Sequence, residues 1–201
     1  MIISWIIQNI IEIIGAILSL IYLYFSIRQS VFLWPIGLVS SGFYVVVFYS
    51  SQLYAEMGLQ FYYITVSIYG WYYWVYGNKK SGTKQDADLP VSRLNLSQAI
   101  RYGIFFILIY VVLFYFLSHH TNSNIPGWDS FVTAGSLVGT WMLAKKILEN
   151  WLVWIIVDSL SIGIYIYKDL HPTVVLFCIY SILAILGYIK WKRTLSINTT
   201  I

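Results

Sequence analysis

Three residues of one apolar stretch have the types and spacing to hold a ligand. Trp151, Trp154 and Asp158 stand at i, i+3 and i+7, so on a helix all three project from one face. Two indole faces and a carboxylate in one stripe suit a flat, cationic, aromatic molecule. Each indole offers stacking and cation–π attraction of about 0.5 to 2 kcal/mol, and the carboxylate accepts hydrogen bonds from hydroxyl or amino groups. Asp158 is the only acid near the middle of an apolar segment, where a charge costs roughly 2.5 to 3.5 kcal/mol even on the lenient insertion scale. The competing reading packs the tryptophans between helices and satisfies Asp158 with a neighbouring Ser or Tyr hydroxyl.

A second stripe, Gln60, Tyr63, Ser67, Trp71 and Trp74, follows spacings of three or four. Gln60 can donate and accept at once; a ligand contact and a helix-to-helix hydrogen bond are its two readings. Glu12 and Asp129 fall at the starts of two other apolar segments, where negative charge complements a helix dipole or serves a gate. Asn150 reads as the N-cap of the segment that carries Trp151. Trp5, Trp128 and Trp191 lie near segment ends and read as interface anchors. His119 and His120 read as a solvated loop pair, and the single Cys178 forms neither a disulfide nor a cluster.

The elements that must position these residues are set by composition. Of 201 residues, 59% are hydrophobic and 10% charged, more apolar surface than water tolerates. Apolar segments run over 10–27, 31–49, 53–76, 98–117, 128–144, 151–167 and 173–189. Each is near the ~20 residues that a helix needs to cross a bilayer. Seven transmembrane helices and an all-α integral membrane protein are expected; continuous rather than alternating apolar runs exclude a β-barrel. The first segment lacks a basic flank and a cleavage site and is expected to remain in the mature protein.

Eleven of the twelve Lys and Arg residues fall on one side of the seven crossings, Lys168 alone on the other. The positive-inside tendency makes that side cytoplasmic, with the N-terminus outside and the C-terminus inside. The net charge of +4 therefore calls for no nucleic acid.

A shift of 117 positions superposes the two ends of the chain. Glu12 falls on Asp129, Ser19 on Ser136, Trp34 on Trp151, Tyr63 on Tyr180, Gly70 on Gly187 and Trp74 on Trp191. Two parallel three-helix repeats, joined by a fourth helix that restores direction, account for this. The expected division is 1–76 for the first repeat and 77–127 for linker, connecting helix and outer loop. Residues 128–193 form the second repeat and 194–201 a tail. Within 77–127, residues 77–97 read as a flexible inter-repeat linker, and Phe177 of the second repeat stands where Gln60 falls in the first, so the halves share a frame but divide the ligand contacts.

No phosphate-binding loop, HExxH or GxSxG pattern occurs, and no cofactor or metal is called for. A seven-helix receptor fits the topology but not the internal repeat; a lipid enzyme would need acid–base residues near one interface, and Asp158 lies at mid-depth.

Over nearly its whole membrane-spanning length the chain resembles the PnuC family of bacterial vitamin transporters. The resemblance is carried by Gln52-Leu53-Tyr54-Ala55 leading to Gln60, Ile68-Tyr69-Gly70-Trp71-Tyr72-Tyr73-Trp74, Trp128-Asp129-Ser130 and Glu149-Asn150-Trp151-Leu152-Val153-Trp154. It implies a SWEET-like arrangement, homotrimers in the inner membrane, and facilitated diffusion of a vitamin that a separate cytoplasmic kinase then traps by phosphorylation. It also implies that Trp151 and Trp154 clamp the ring, that Gln60 and Asp158 bind the polar part, and that Tyr63, Tyr69 and Trp71 line the pocket. Glu12, Asp129 and Asn150 fall where gates would close. Nicotinamide riboside carriers of the family have Asn where this chain has Asp158. Nicotinamide riboside is the family's default cargo, and thiamine, from the thiamine-transporting PnuT branch, is its competitor.

Overall fold

The computed structural model describes residues 10–50, 54–77, 89–121 and 123–198. Among them are seven helices: α1 (Ile10–Ile27), α2 (Leu33–Ser50), α3 (Tyr54–Tyr76), α4 (Leu96–His120), α5 (Pro126–Ala144), α6 (Asn150–Tyr167) and α7 (His171–Asn198). Three of them, α4, α6 and α7, contain described stretches long and apolar enough to cross a membrane. The chain divides into two units, Met1–Asp88 and Leu89–Ile201. In the first, α1 packs on α2 and α2 on α3; in the second, α4 packs on α5, α5 on α6 and α6 on α7.

Local chemistry sets the ends of these helices. Asn95 caps α4 through a reciprocal box: its side chain accepts from the Gln98 amide at 2.8 Å, and the Gln98 side chain accepts from the Asn95 amide at 3.1 Å. Pro126 opens α5, where its missing N–H costs nothing. Three helices end in the same left-handed turn, on Gln29 (φ 57°), Lys146 (φ 56°) and Asp169 (φ 56°). In each turn the following amide bonds the carbonyl five residues back: Ser30 to Phe25 at 3.0 Å, Ile147 to Met142 at 3.0 Å and Leu170 to Tyr165 at 2.9 Å. Those carbonyls would otherwise have no partner at the helix end.

The 117-residue offset recurs in the geometry. Helices α2 and α6 start and stop at positions 117 apart, α3 and α7 start 117 apart, and so do the left-handed residues Gln29 and Lys146. Within the first unit the fully buried Trp34 lies against Gly70 and meets Trp74 edge to face, 5.4 Å between ring centres at 89°. Within the second, Trp151 lies against Gly187 and meets Trp191 at 5.5 Å and 85°. Edge-to-face pairs add about 0.5 to 1.5 kcal/mol beyond the area they bury.

Helix α5 is the most enclosed element of the second unit. Its buried residues are mostly small, Ser130, Ala134, Gly135, Gly139 and Thr140 among them, which lets α6 approach closely. Helix α4 has no buried residue along 25 positions, so its apolar surface is left for lipid or other apolar cover.

The connection read as a flexible linker differs in its second half. The Ser92 amide donates to the Lys146 carbonyl at 3.0 Å, and the Leu148 amide donates to the Ser92 carbonyl at 2.9 Å, a short parallel bridge. The Leu94 amide donates to a Glu149 carboxylate oxygen at 2.8 Å, and Leu89 and Val91 are buried. Residues 89–95 are therefore a strap bound to the α5–α6 turn; composition suggested flexibility because none of these partners is local. Residues 78–88 lie outside the described part.

Candidate functional site

Helix α6 carries the central group. Asp158 is only 4% exposed, and neither a hydrogen-bond nor an ion-pair partner reaches its carboxyl among the described residues. The neighbouring hydroxyl that could have satisfied it is engaged elsewhere, since Ser161 Oγ donates to the Val157 carbonyl at 2.8 Å. A buried carboxyl left this way is held against a desolvation cost of several kcal/mol, which an arriving cation or donor group can offset.

Trp154, one turn before Asp158, is partly exposed and lies over Gly139 of α5. A Cβ at position 139 would stand 3.4 Å from the indole Cε2 and Nε1. A Cβ there would only just touch the ring, so this indole is not wedged as tightly as one packed against a glycine at 2.6 Å, the spacing found at Gly187. Trp151 is different: it is 1% exposed, wedged against Gly187 and Trp191, and its indole N–H has no hydrogen-bond partner among the described residues. That corrects the reading of Trp151 as an open ring face. Its faces are used in the α6–α7 seam, as those of Trp34 are in the α2–α3 seam.

On α3 the stripe splits. Ser67 and Trp74 are buried, whereas Gln60 and Tyr63 are partly exposed and Tyr63 meets Tyr62 edge to face at 5.6 Å. Trp71 is 43% exposed, because Gly70 rather than Trp71 faces Trp34 of α2. Tyr69 stacks on Tyr73, 5.7 Å between ring centres at 13°.

The proposed gate residues divide as well. Asp129, in the first turn of α5, pairs with Lys168 at 3.6 Å and accepts from Ser123 Oγ at 2.7 Å. Asn150 is the first residue of α6 and not its cap: Glu149 holds that position, and the Asn150 amide group donates back to the Ile147 carbonyl at 2.6 Å. The Glu12 side chain and Trp5 lie outside the described residues. Trp191, expected at an interface, is fully buried, while Trp128 is exposed. His119 and His120 belong to the last turn of α4, where His119 Nδ1 meets the Tyr115 carbonyl at 2.9 Å.

One residue that the sequence reading passed over stands out. Tyr22 of α1 lies over Gly37 of α2, with Ser67 Oγ beside it; the signal available was its place one helix before the Trp34 segment, which by itself marks nothing.

The chain as a whole has counterparts among known proteins. The profile of the nicotinamide mononucleotide transporter family matches residues 9–193. The nicotinamide riboside transporter PnuC of Escherichia coli is 24% identical over 213 residues, covering 94% of this chain and 85% of that protein. The riboflavin/roseoflavin transporter RibM of Streptomyces davaonensis is 27% identical over 183 residues, covering 90% and 83%. The crystal structure of the vitamin B3 transporter PnuC superposes with a TM-score of 0.73 at 20% identity, covering 97% of this chain and 86% of that one. A match over nearly every residue of the membrane region, on a helical frame shared with a solved transporter, places the chain: it belongs to the nicotinamide mononucleotide transporter family, the PnuC family of membrane transporters.

Proposed function

We propose that this chain carries nicotinamide riboside across the bacterial inner membrane by facilitated diffusion. The observation that carries the reading is Asp158, a buried carboxyl without a partner among the described residues, one turn from the partly exposed indole of Trp154. A positively charged pyridinium ring supplies the missing charge, and Trp154 supplies a stacking face. The same carboxyl argues for the riboside over the mononucleotide, because a phosphate brings more negative charge to a negative site. Thiamine is not favoured: the relatives named above carry nicotinamide riboside and riboflavin.

In this reading all seven helices cross the bilayer, with the N-terminus outside and the C-terminus in the cytoplasm, as the basic residues suggest. The 117-residue recurrence of helix bounds, left-handed turns and tryptophan wedges supports two parallel three-helix repeats in a SWEET-like frame, residues 1–76 and 128–193, with α4 between them. The uncovered apolar surface of α4 leaves room for the homotrimer that the family resemblance implies. Gln60, Tyr63, Tyr69 and Trp71 of the first unit contribute to cargo recognition, and Trp151 does so indirectly by fixing α6. Glu12, Asp129 and Asn150 take part in closing the ends. Asp158 is the one buried acid among the described residues; once matched by the cargo's own charge it leaves no second buried carboxylate for a coupling cation. Accumulation then depends on a cytoplasmic kinase.

Purified full-length chain in proteoliposomes tests this. Nicotinamide riboside should equilibrate across the membrane, accumulate only when a nicotinamide riboside kinase and ATP are enclosed, and outcompete thiamine. Uptake above the external concentration without a kinase would overturn facilitated diffusion. Preference for thiamine or riboflavin would overturn the cargo.

A further inference from the structure

In each unit an aromatic ring is laid over a glycine where two helices cross, but the helix that supplies the ring is exchanged. In the second unit the ring is Trp154 of α6 and the glycine is Gly139 of α5. In the first unit the ring is Tyr22 of α1 and the glycine is Gly37 of α2, where a Cβ would stand 3.2 Å from the tyrosine Cε2. Positions 22 and 139, and 37 and 154, are each 117 apart. Helix bounds, left-handed turns and tryptophan wedges all keep that register, so the two pairs occupy the same crossing. Residue-by-residue comparison hides the correspondence, because it sets Tyr22 against a glycine and Gly37 against a tryptophan.

Close packing at the crossing needs one ring, and either helix can supply it. What the exchange alters is the third-helix neighbour. The space over Gly37 is bounded on its other side by the buried Ser67 Oγ, 3.0 Å from where a Cβ would be. On α3, Tyr63 stands one turn before Ser67 and Gln60 a turn further along the same stripe. The corresponding positions of α7 are Ala184, Tyr180 and Phe177. Tyr22 therefore shares the space over Gly37 with the Ser67 hydroxyl, from the stripe of α3 that also carries the hydroxyl of Tyr63 and the amide of Gln60, whereas Trp154 stands on the helix that bears Asp158. Groups of the first kind match a polyhydroxylated moiety, and those of the second a flat cation.

We infer that Tyr22 is a further specificity-determining residue, whose phenol hydroxyl hydrogen-bonds the sugar of the transported nucleoside. The inference rests on the reading of the cargo as a cationic aromatic riboside. Nicotinamide riboside is titrated into the detergent-purified full chain as wild type, Tyr22→Phe and Trp154→Ala, with the unliganded melting temperature of each recorded. Tyr22→Phe keeps the ring over Gly37 and removes only the hydroxyl. It should weaken binding roughly tenfold, the size of one lost hydrogen bond in a binding site, while its melting temperature stays at the wild-type value. Affinity within twofold of wild type in Tyr22→Phe, with binding lost in Trp154→Ala, overturns the inference and leaves the transport reading standing. Affinity and melting temperature falling together in Tyr22→Phe assign the hydroxyl to packing and also overturn it. A wild-type protein that binds no riboside overturns the reading and the inference with it.

Discussion

The indole of Trp151 occupies the space that any side chain at position 187 would need, and a Cβ on Gly187 would stand 2.6 Å from its ring carbons. Glycine to alanine inside a helix would otherwise gain about 0.5 to 1 kcal/mol of backbone stability. The clash decides the sign. Gly187→Ala, and Gly70→Ala at the matching wedge of Trp34, should each destabilise the protein by about 1 to 3 kcal/mol. Thermal unfolding in detergent reads this directly, and unchanged midpoints would mean that the seams adapt.

Asp158→Asn removes a buried charge that has no partner among the described residues. The unliganded protein should become more stable, on the order of 1 kcal/mol or more, while riboside affinity falls by less than about tenfold, because an Asn here, as in the riboside carriers the chain resembles, still offers the cargo a hydrogen-bonding group. Melting temperature and Kd rising together would mark a residue kept for its ligand. A lower melting temperature in the variant would instead assign Asp158 to the fold.

Glu149 ties the strap to the α5–α6 turn through the Leu94 amide at 2.8 Å. In Glu149→Ala that amide loses a charged acceptor, an interaction worth about 1.5 to 3 kcal/mol. Amide hydrogen exchange at Ser92 and Leu94 should accelerate. Glu149→Gln, which keeps a neutral acceptor, should recover part of the protection. Protection that survives Glu149→Ala would show that the bridge to Lys146 and Leu148 holds the strap alone.

The Asp129–Lys168 pair spans 3.6 Å with side chains 26% and 42% exposed. Pairs so open to solvent contribute under about 1 kcal/mol and are screened by salt. Lys168→Ala should therefore cost little, and nothing at high salt. Asp129→Ala should cost more, because Ser123 also loses its acceptor at 2.7 Å. A double-mutant cycle separates the two; a coupling that persists undiminished in high salt would contradict the surface-pair account.

Helix positions were legible because apolar runs of membrane length admit little else: the segments read at 10–27 and 151–167 match α1 and α6 to within a residue. The 117-residue register was legible too, since Trp34, Gly70 and Trp74 recur as Trp151, Gly187 and Trp191. The use of those residues was not. Spacing places Trp151 and Trp154 on one face, but whether a ring is covered depends on the neighbouring helix, and Gly187 and Gly139 receive the two rings differently. The strap escaped notice for a similar reason: Ser92 and Leu94 find their partners more than fifty residues away, and nothing in a polar stretch announces a distant acceptor. Tyr22 was hidden by the exchange of ring and glycine between helices.

The strap also fixes an order of assembly. Its acceptors, the Lys146 carbonyl and the Glu149 carboxylate, leave the ribosome only after α4 and α5 have been made. Until then residues 89–95 have no bridge to form, and α4, with a mean hydropathy of 2.2 and no buried residue, must enter the bilayer on its own solubility in lipid. Synthesis of the α5–α6 turn then fastens the start of α4 after that helix has been made, so α4 is inserted first and tied afterwards.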